Sequence, residues 1–235
     1  MSLFLDAWNY LTDGANWGGG AGIDHRLLQH IWYSLLAVAL SAVVAVPVGL
    51  VIGHTRRGSA LLVGFANAMR ALPTLGLLTF LVLLLGLGII PPLLALVTVG
   101  IPPLLAGAYA GIANVPADVV DASRAMGMTE RQILLRVEVP NAVPVMLGGL
   151  RSATLQVVAT ATIAAYVNMG GLGRYIFDGI GLYRYDLVLV GALLVAALAL
   201  VLDGVLAAAV WISAPGTGRL TRTSVESTAT SVVTE

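Results

Sequence analysis

The chain has 235 residues, of which 58% are hydrophobic and 10% are charged, and its 12 arginines and 12 acidic residues leave no formal net charge. Soluble domains carry about 25% charged residues, and the mean hydropathy here is +0.94. This composition excludes an ordinary soluble enzyme, a disordered chain and a nucleic-acid-binding protein with a basic face. The sequence has no lysine, which excludes a Walker A phosphate loop, and no cysteine, which excludes disulfides and thiolate sites. We expect an all-α polytopic membrane protein.

Residues 1–30 precede the first long apolar segment and place Phe4, Trp8 and Trp17 among glycines and acidic residues. This pattern is typical of a short helix that lies at the membrane interface. Because the start of the chain lacks a basic region, we expect an uncleaved extracytoplasmic segment rather than a signal peptide.

Five segments are long and apolar enough to cross the hydrocarbon core, which requires about 20 residues per helix. They are residues 31–53, 60–87, 92–112, 144–168 and 187–211. Five crossings place seven loop arginines on one side and three, Arg26, Arg174 and Arg184, on the other. The seven are Arg56, Arg57, Arg124, Arg131, Arg136, Arg219 and Arg222. The positive-inside rule then predicts an N-terminus outside and a cytoplasmic C-terminus.

The second span is unusually long and is interrupted by Arg70 and Pro73. Irregular backbone at membrane depth persists where protein or a water-filled cavity surrounds it. We therefore predict a break at residues 70–74, with Arg70 facing a polar pathway. The alternative is a proline kink beside an arginine that extends to the interface. Asp203 in the last span is a hypothetical partner for Arg70.

Residues 114–143 form the most polar stretch and predict a cytoplasmic hairpin of two short helices. Gly127 is suited to the left-handed position that ends the first helix. Thr129 and Gln132 predict a capping box that starts the second helix, and Pro140 is expected to limit it.

The first hairpin helix carries a face of small and apolar side chains, which needs a groove to occupy. These side chains belong to Val119, Val120, Ala122, Ser123 and Met126. The pattern leaves open whether the face packs on the chain itself or on a partner.

Hydroxyl side chains on the fourth span and glycines beyond it are candidates for a pathway and an outer gate. The hydroxyl groups are those of Thr160, Thr162 and Tyr166, and the glycines are Gly170, Gly171 and Gly173. The hydroxyl groups could instead bond to neighbouring backbone, and the glycines could form a tight loop or a docking point for a partner.

The remaining features favour transport over catalysis. The histidines His25, His30 and His54 stand isolated near the membrane edges, and no metalloprotease or serine-hydrolase motif is present. We therefore expect no catalytic residues, no metal and no cofactor. A partner-independent carrier would not account for the capped hairpin. Residues 214–235 are rich in serine and threonine and predict a disordered cytoplasmic tail.

The hairpin resembles the EAA loop of binding-protein-dependent ABC importer permeases, whose pattern is Glu-Ala-Ala, three residues, Gly, nine residues and Ile-x-Leu-Pro. The matching positions are Asp121, Ala122, Ser123, Gly127, Val137, Val139 and Pro140, three of them identical. The resemblance extends over residues 30–210. Passages Ala125–Thr129 and Gly170–Ile180 look like the osmoprotectant branch, whose permeases carry glycine betaine, choline, carnitine or proline, although methionine importers share the Arg-x-x-Pro element.

The resemblance implies a transmembrane permease domain, residues 31–213, with five helices of the type I, methionine-importer-like plan, in a bacterial inner membrane. It implies two ABC ATPase subunits, a second permease that is identical or a sister subunit, and an extracytoplasmic substrate-binding protein, with lipid around the helices. The residues it places against the ATPase are Asp121, Ala122, Ser123, Arg124, Met126, Gly127 and Pro140. By this resemblance the chain conducts solute, while a partner hydrolyses ATP.

Overall fold

The computed structural model describes residues 2–167 and 169–213, and the regular structure within these ranges is helical. The helices are α1 (Ser2–Thr12), α2 (Ile23–Thr55), α3 (Ser59–Ala71), α4 (Thr74–Leu85), α5 (Ile90–Ala113), α6 (Ala117–Ala125), α7 (Glu130–Ile133), α8 (Val139–Ala164), α9 (Gly173–Gly181) and α10 (Tyr185–Ser213). The tail predicted for residues 214–235 lies outside the described residues.

Four helices are long and apolar enough to cross a membrane, and a bent pair of shorter helices, counted as one, brings the number of candidate spans to five. The four are α2, the unbroken helix Glu130–Val167, α5 and α10. Helices α3 and α4 form the pair, bent by 82°. The predicted break is confirmed, because α3 ends at Ala71 and Pro73 precedes the first residue of α4.

The first span begins at Ile23, eight residues before the predicted start at 31. Gly22 is extended and ends the preceding loop, and Asp24 in the first turn favours a helix N-terminus. The segment before the first span is therefore residues 2–22 within the described part of the chain. Within it α1 exposes Phe4 and Trp8 while it buries Ala7, which is the amphipathic pattern of an interfacial helix.

Glycines allow α5 to lie close to both α2 and α8. A methyl group on Gly49 of α2 would come within 2.6 Å of the Ala108 side chain of α5. One on Gly107 of α5 would come within 2.7 Å of the backbone of Gly149 on α8. The small residues thus pack helices against each other within this chain.

The second hairpin helix does not end at Pro140, contrary to the sequence prediction. Helix α7 continues through a π-helical turn, Leu134–Glu138, directly into α8. Pro140 is the second residue of α8 and lacks the amide that a continuous helix would use, while the Val139 amide before it donates to the Leu134 carbonyl five residues back. The wider π turn thus precedes the proline without a break in the helix.

Asp203 does not pair with Arg70, so that hypothesis was wrong. Both carboxylate oxygens of Asp203 accept hydrogen bonds from Arg151, at 2.5 Å from Nε and 2.7 Å from Nη2. The reason is helix packing, because α10, which carries Asp203, packs along α8, which carries Arg151. This bidentate pair ties the last span to the fourth.

Candidate functional site

The first helix of the hairpin ends in a Schellman motif centred on Gly127. Gly127 has φ of +81°, and its amide donates to the Arg124 carbonyl at 2.9 Å. The next amide, of Met128, donates to the Ser123 carbonyl at 3.2 Å. Thr129 and Gln132 then form the expected capping box. The hairpin turn is therefore closed by hydrogen bonds from its own backbone and side chains.

The apolar side chains of α6 divide between two faces, which the sequence left unresolved. Val120 and Ser123 are buried, and Val120 packs in a small cluster with Ile133. Val119 is 39% exposed and Met126 is 74% exposed. Ala122 is exposed between them on the same face. Helix α6 thus packs on its own chain with one face and presents a second apolar face outward.

Ion pairs of Arg124 with two acidic side chains stabilise the hairpin. Arg124 donates to both carboxylate oxygens of Glu130, at 2.9 and 3.1 Å, and also to Asp121 at 3.1 Å. These hydrogen bonds, that to Glu130 above all, raise the pKa of Arg124 above its usual range. The guanidinium therefore stays charged and links α6 to the start of α7.

His54 is not isolated, contrary to the sequence interpretation, and it connects the hairpin to α2. Its Nε2 lies 3.2 Å from Glu130. Its Nδ1 makes a short hydrogen bond to Glu138 in the π turn. Glu138 is 3% exposed, so its carboxylate depends on the imidazole for a partner. The His54 bridge, meaning Glu130, His54 and Glu138, thus joins three elements.

A cavity of about 300 Å³ lies at the break in the second span. Its lining combines the bend with residues of α5 and α8: Met69, Arg70, Leu72, Thr74, Val99, Pro102, Gln156, Ala159 and Thr160. Two predicted pathway residues, Arg70 and Thr160, thus meet at one cavity, together with Gln156, which the sequence prediction omitted. Pro73 occupies the position just before the first residue of α4, between Leu72 and Thr74 of the cavity lining.

Thr162 and Tyr166 do not line this cavity. The three hydroxyl groups predicted to line the pathway, those of Thr160, Thr162 and Tyr166, therefore lie in different surroundings. The Thr162 hydroxyl donates to the Ala159 carbonyl of its own helix at 2.6 Å. Tyr166 is 61% exposed, with its ring 5.4 Å from that of Phe177. A helix turns by about 100° per residue, so hydroxyl groups at 160, 162 and 166 cannot all face one side.

The predicted gate glycines lie within residues 170–173, a segment that we call the glycine loop. Side chains near the start of α2 bond to this loop. Gly170 and Gly171 have φ of +89° and +77°. The Gly171 amide donates to the side chain of Gln29 at 3.0 Å, and the Leu172 amide to Nδ1 of His30 at 3.3 Å. Nε2 of buried His30 donates to the Val158 carbonyl at 3.0 Å. These bonds pin the loop to α2 and α8.

Gly173, the third predicted gate glycine, begins α9 and is packed rather than free. A methyl group there would collide with the carbonyl of Thr162. Nearby, the Tyr175 hydroxyl donates to the Ala21 carbonyl at 3.1 Å, and burial raises the pKa of Tyr175 to about 12. Close packing therefore joins α9 to the fourth span and to the N-terminal segment.

Sequence reasoning missed Gln29, His30, His54, Glu138 and Gln156. The chain separation is 84 residues between His54 and Glu138 and 142 between His30 and Leu172. A single sequence carries no pattern that links such distant positions. A polar residue inside an otherwise apolar helix was the available indication for Gln156.

Comparisons place the chain among known transport proteins. Residues 45–210 match the family model for the binding-protein-dependent transport system inner membrane component. The chain is 36% identical to the glycine betaine/carnitine/choline transport system permease protein OpuCB of Bacillus subtilis, over 80% of this chain and 87% of that protein. It is 37% identical to the choline transport system permease protein OpuBB of the same organism, over 81% and 88%.

A solved structure has the same fold. A chain from inward-facing structures of the MetNI methionine ABC transporter superposes with a TM-score of 0.73 at 19% identity, covering 82% of this chain and 96% of that one. At this identity the likeness concerns the fold alone. It confirms the expected helical plan of this class of permease.

Proposed function

Since the chain belongs to the family of binding-protein-dependent transport system inner membrane components, we propose that it is the permease subunit of an ATP-driven importer of osmoprotectants. The solutes are small zwitterions or cations such as glycine betaine, choline, carnitine or proline. The observation that carries this proposal is the 36–37% identity, over four fifths of the chain, to permeases named for glycine betaine, carnitine and choline. The likeness to a methionine transporter concerns the fold and carries no substrate.

The hairpin is the proposed site of coupling to a separate ATPase. The outward face of α6, formed by Val119, Ala122 and Met126, is apolar and small enough to enter a groove. Asp121 and Arg124 at its edge orient the docking by charge. Ser123 and Pro140 support the hairpin from within and from the first turn of α8. In this assembly two ATPases act on two permease chains, identical or sister, and an extracytoplasmic protein delivers the solute.

The cavity at Arg70 is the proposed section of the solute pathway. Arg70 places a positive charge where the carboxylate of glycine betaine, carnitine or proline can approach, and Gln156 and Thr160 offer hydrogen bonds to these solutes and to choline, which has no carboxylate. Quaternary ammonium groups are usually bound by aromatic cages. No aromatic side chain is among the described residues that line this cavity. We therefore assign selection of the ammonium group to the binding protein. The glycine loop is the proposed outer gate.

The test is uptake of labelled glycine betaine into proteoliposomes that contain the chain with its ATPase, the second permease and the binding protein. We expect ATP-dependent uptake that excess choline or carnitine inhibits and excess methionine does not. The matched control contains an ATPase variant that binds but does not hydrolyse ATP.

Inhibition by methionine alone would contradict the osmoprotectant substrate class, whereas the assignment as an ATP-driven importer would stand. Uptake without ATP or partners would contradict the importer itself and indicate a self-contained carrier.

A further inference from the structure

Helix α2 is bonded at both ends to the segments that the proposed function makes mobile. At the hairpin end, His54 in its last turn contacts Glu130 and Glu138. At the opposite end, Gln29 and His30 hold the glycine loop by its backbone amides. The 24 residues from His30 to His54 span roughly 36 Å at 1.5 Å per residue, which exceeds the hydrocarbon thickness.

Among the described residues, the hairpin makes few other polar contacts with α2, although α7 continues directly into α8. Its own apolar cluster is small, consisting of Val115, Val120 and Ile133 with Met128 beside it. The Arg124–Glu130 pair lies within the hairpin. Arg56 adds a long hydrogen bond of 3.5 Å to the Val115 carbonyl. The His54 bridge therefore provides the closest polar contact between the hairpin and α2.

The helix between these ends is one continuous element with Pro47 inside it, and one of its faces packs closely on α5. Gly49 and Gly53 lie directly against α5, where a methyl group on either would come within 2.6 or 2.7 Å of an α5 side chain. Ser41 also donates across to the Val97 carbonyl of α5 at 3.0 Å. Such packing moves a helix as a unit with its neighbour, because close-packed interfaces transmit displacement rather than absorb it.

We propose that α2 moves as a rigid helix and transmits displacement of the ATPase-docked hairpin to the outer glycine loop. His54 is the positioning residue that attaches the hairpin to α2. This inference rests on the proposed function. The His54 imidazole contacts the hairpin at Glu130. It also contacts buried Glu138 in the π turn that precedes α8. A push on α6 thus reaches α2 chiefly through the His54 imidazole, beside the longer Arg56 contact and the continuous helix that joins α7 to α8, and α2 reaches the loop through two side chains.

The first test measures the attachment in the purified chain, without partners. Replacement of His54 alone would leave the buried Glu138 carboxylate without its hydrogen-bond partner. The test variant is therefore H54A/E138Q, which removes the Glu138 charge together with the contacts of His54. We expect amide hydrogen exchange in residues 117–133 to rise by at least about tenfold, because the variant removes both His54 contacts and the loss of one charge-assisted hydrogen bond already corresponds to about tenfold. The matched control is T55A, because Thr55 is exposed and its hydroxyl bonds to its own helix.

The second test measures coupling in the assembled importer as ATP hydrolysed per glycine betaine transported. We expect H54A/E138Q to assemble and hydrolyse ATP while this ratio rises about tenfold on the same energetic basis. H54Q, whose amide can still donate to one glutamate, is expected to fall between H54A/E138Q and the wild type. T55A is expected to match the wild type. A parallel fall of transport, hydrolysis and assembled complex would indicate a structural role and overturn the inference.

Failure of the inference and failure of the proposed function give different results. If the wild-type complex lacks ATP-dependent uptake, the proposed function fails. Unchanged exchange in residues 117–133 of H54A/E138Q overturns the attachment, whatever the wild type transports. If ATP-loaded ATPase alters exchange at residues 170–173 equally in the wild type and in H54A/E138Q, the path through α2 is overturned.

Discussion

At the scale of single residues, Gly127 shows how one backbone conformation positions the surface that we propose docks on the ATPase. Its φ of +81° closes the Schellman motif, and a side chain there would meet nothing within 4 Å. The left-handed conformation costs an L-residue roughly 1–2 kcal/mol. We expect G127D to reduce uptake by at least about tenfold, because this strain and a new carboxylate both oppose docking, while membrane insertion persists.

Gly58 provides the matched control for Gly127. It has φ of +82° with equally open space and lies in the turn between α2 and α3, outside the hairpin segment of the chain. G58D therefore carries the same backbone strain without a charge at the hairpin. Uptake rates are compared at equal amounts of membrane-inserted protein. Equal losses of uptake in both variants would mean that strain, and not position on the hairpin, determines the effect.

At the scale of helices, glycine contacts set how closely α5 and α8 approach. A methyl group on Gly149 would lie 2.8 Å from the backbone of Gly107, whereas one on the adjacent Gly148 would meet nothing within 4 Å. Overpacking of this kind costs about 1–3 kcal/mol. We expect G149V to lower the melting temperature of the purified chain in detergent and G148V to leave it near the wild-type value. Equal melting temperatures would contradict this packing.

At the scale of the whole molecule, the distribution of arginine predicts which end of the bundle faces the cytoplasm. The chain contains no cysteine, so a single introduced thiol reports its own location. Ala15 and Ala125 are both exposed, in the N-terminal segment and at the end of α6 respectively. We expect a membrane-impermeant maleimide to label A15C in intact spheroplasts. A125C should be labelled after permeabilisation. The reverse pattern would contradict the predicted orientation.

Much of the architecture follows from local patterns in the sequence. The five spans follow from apolar length, because a bilayer demands helices of nearly fixed length whatever their neighbours. The break at Pro73 and the capping box at Thr129 depend on residues adjacent in the chain. The resemblance to importer permeases rests on the hairpin motif, and the family match confirms it.

Tertiary structure decided which of these local features meet. The sequence paired Asp203 with Arg70, whereas the packing of α10 on α8 brings Asp203 to Arg151. It treated His54 as isolated, whereas the fold places it against Glu130 and Glu138. Local patterns depend on backbone geometry within a few turns and can be inferred from one chain. Contacts between distant residues depend on how whole helices pack, which no short pattern encodes.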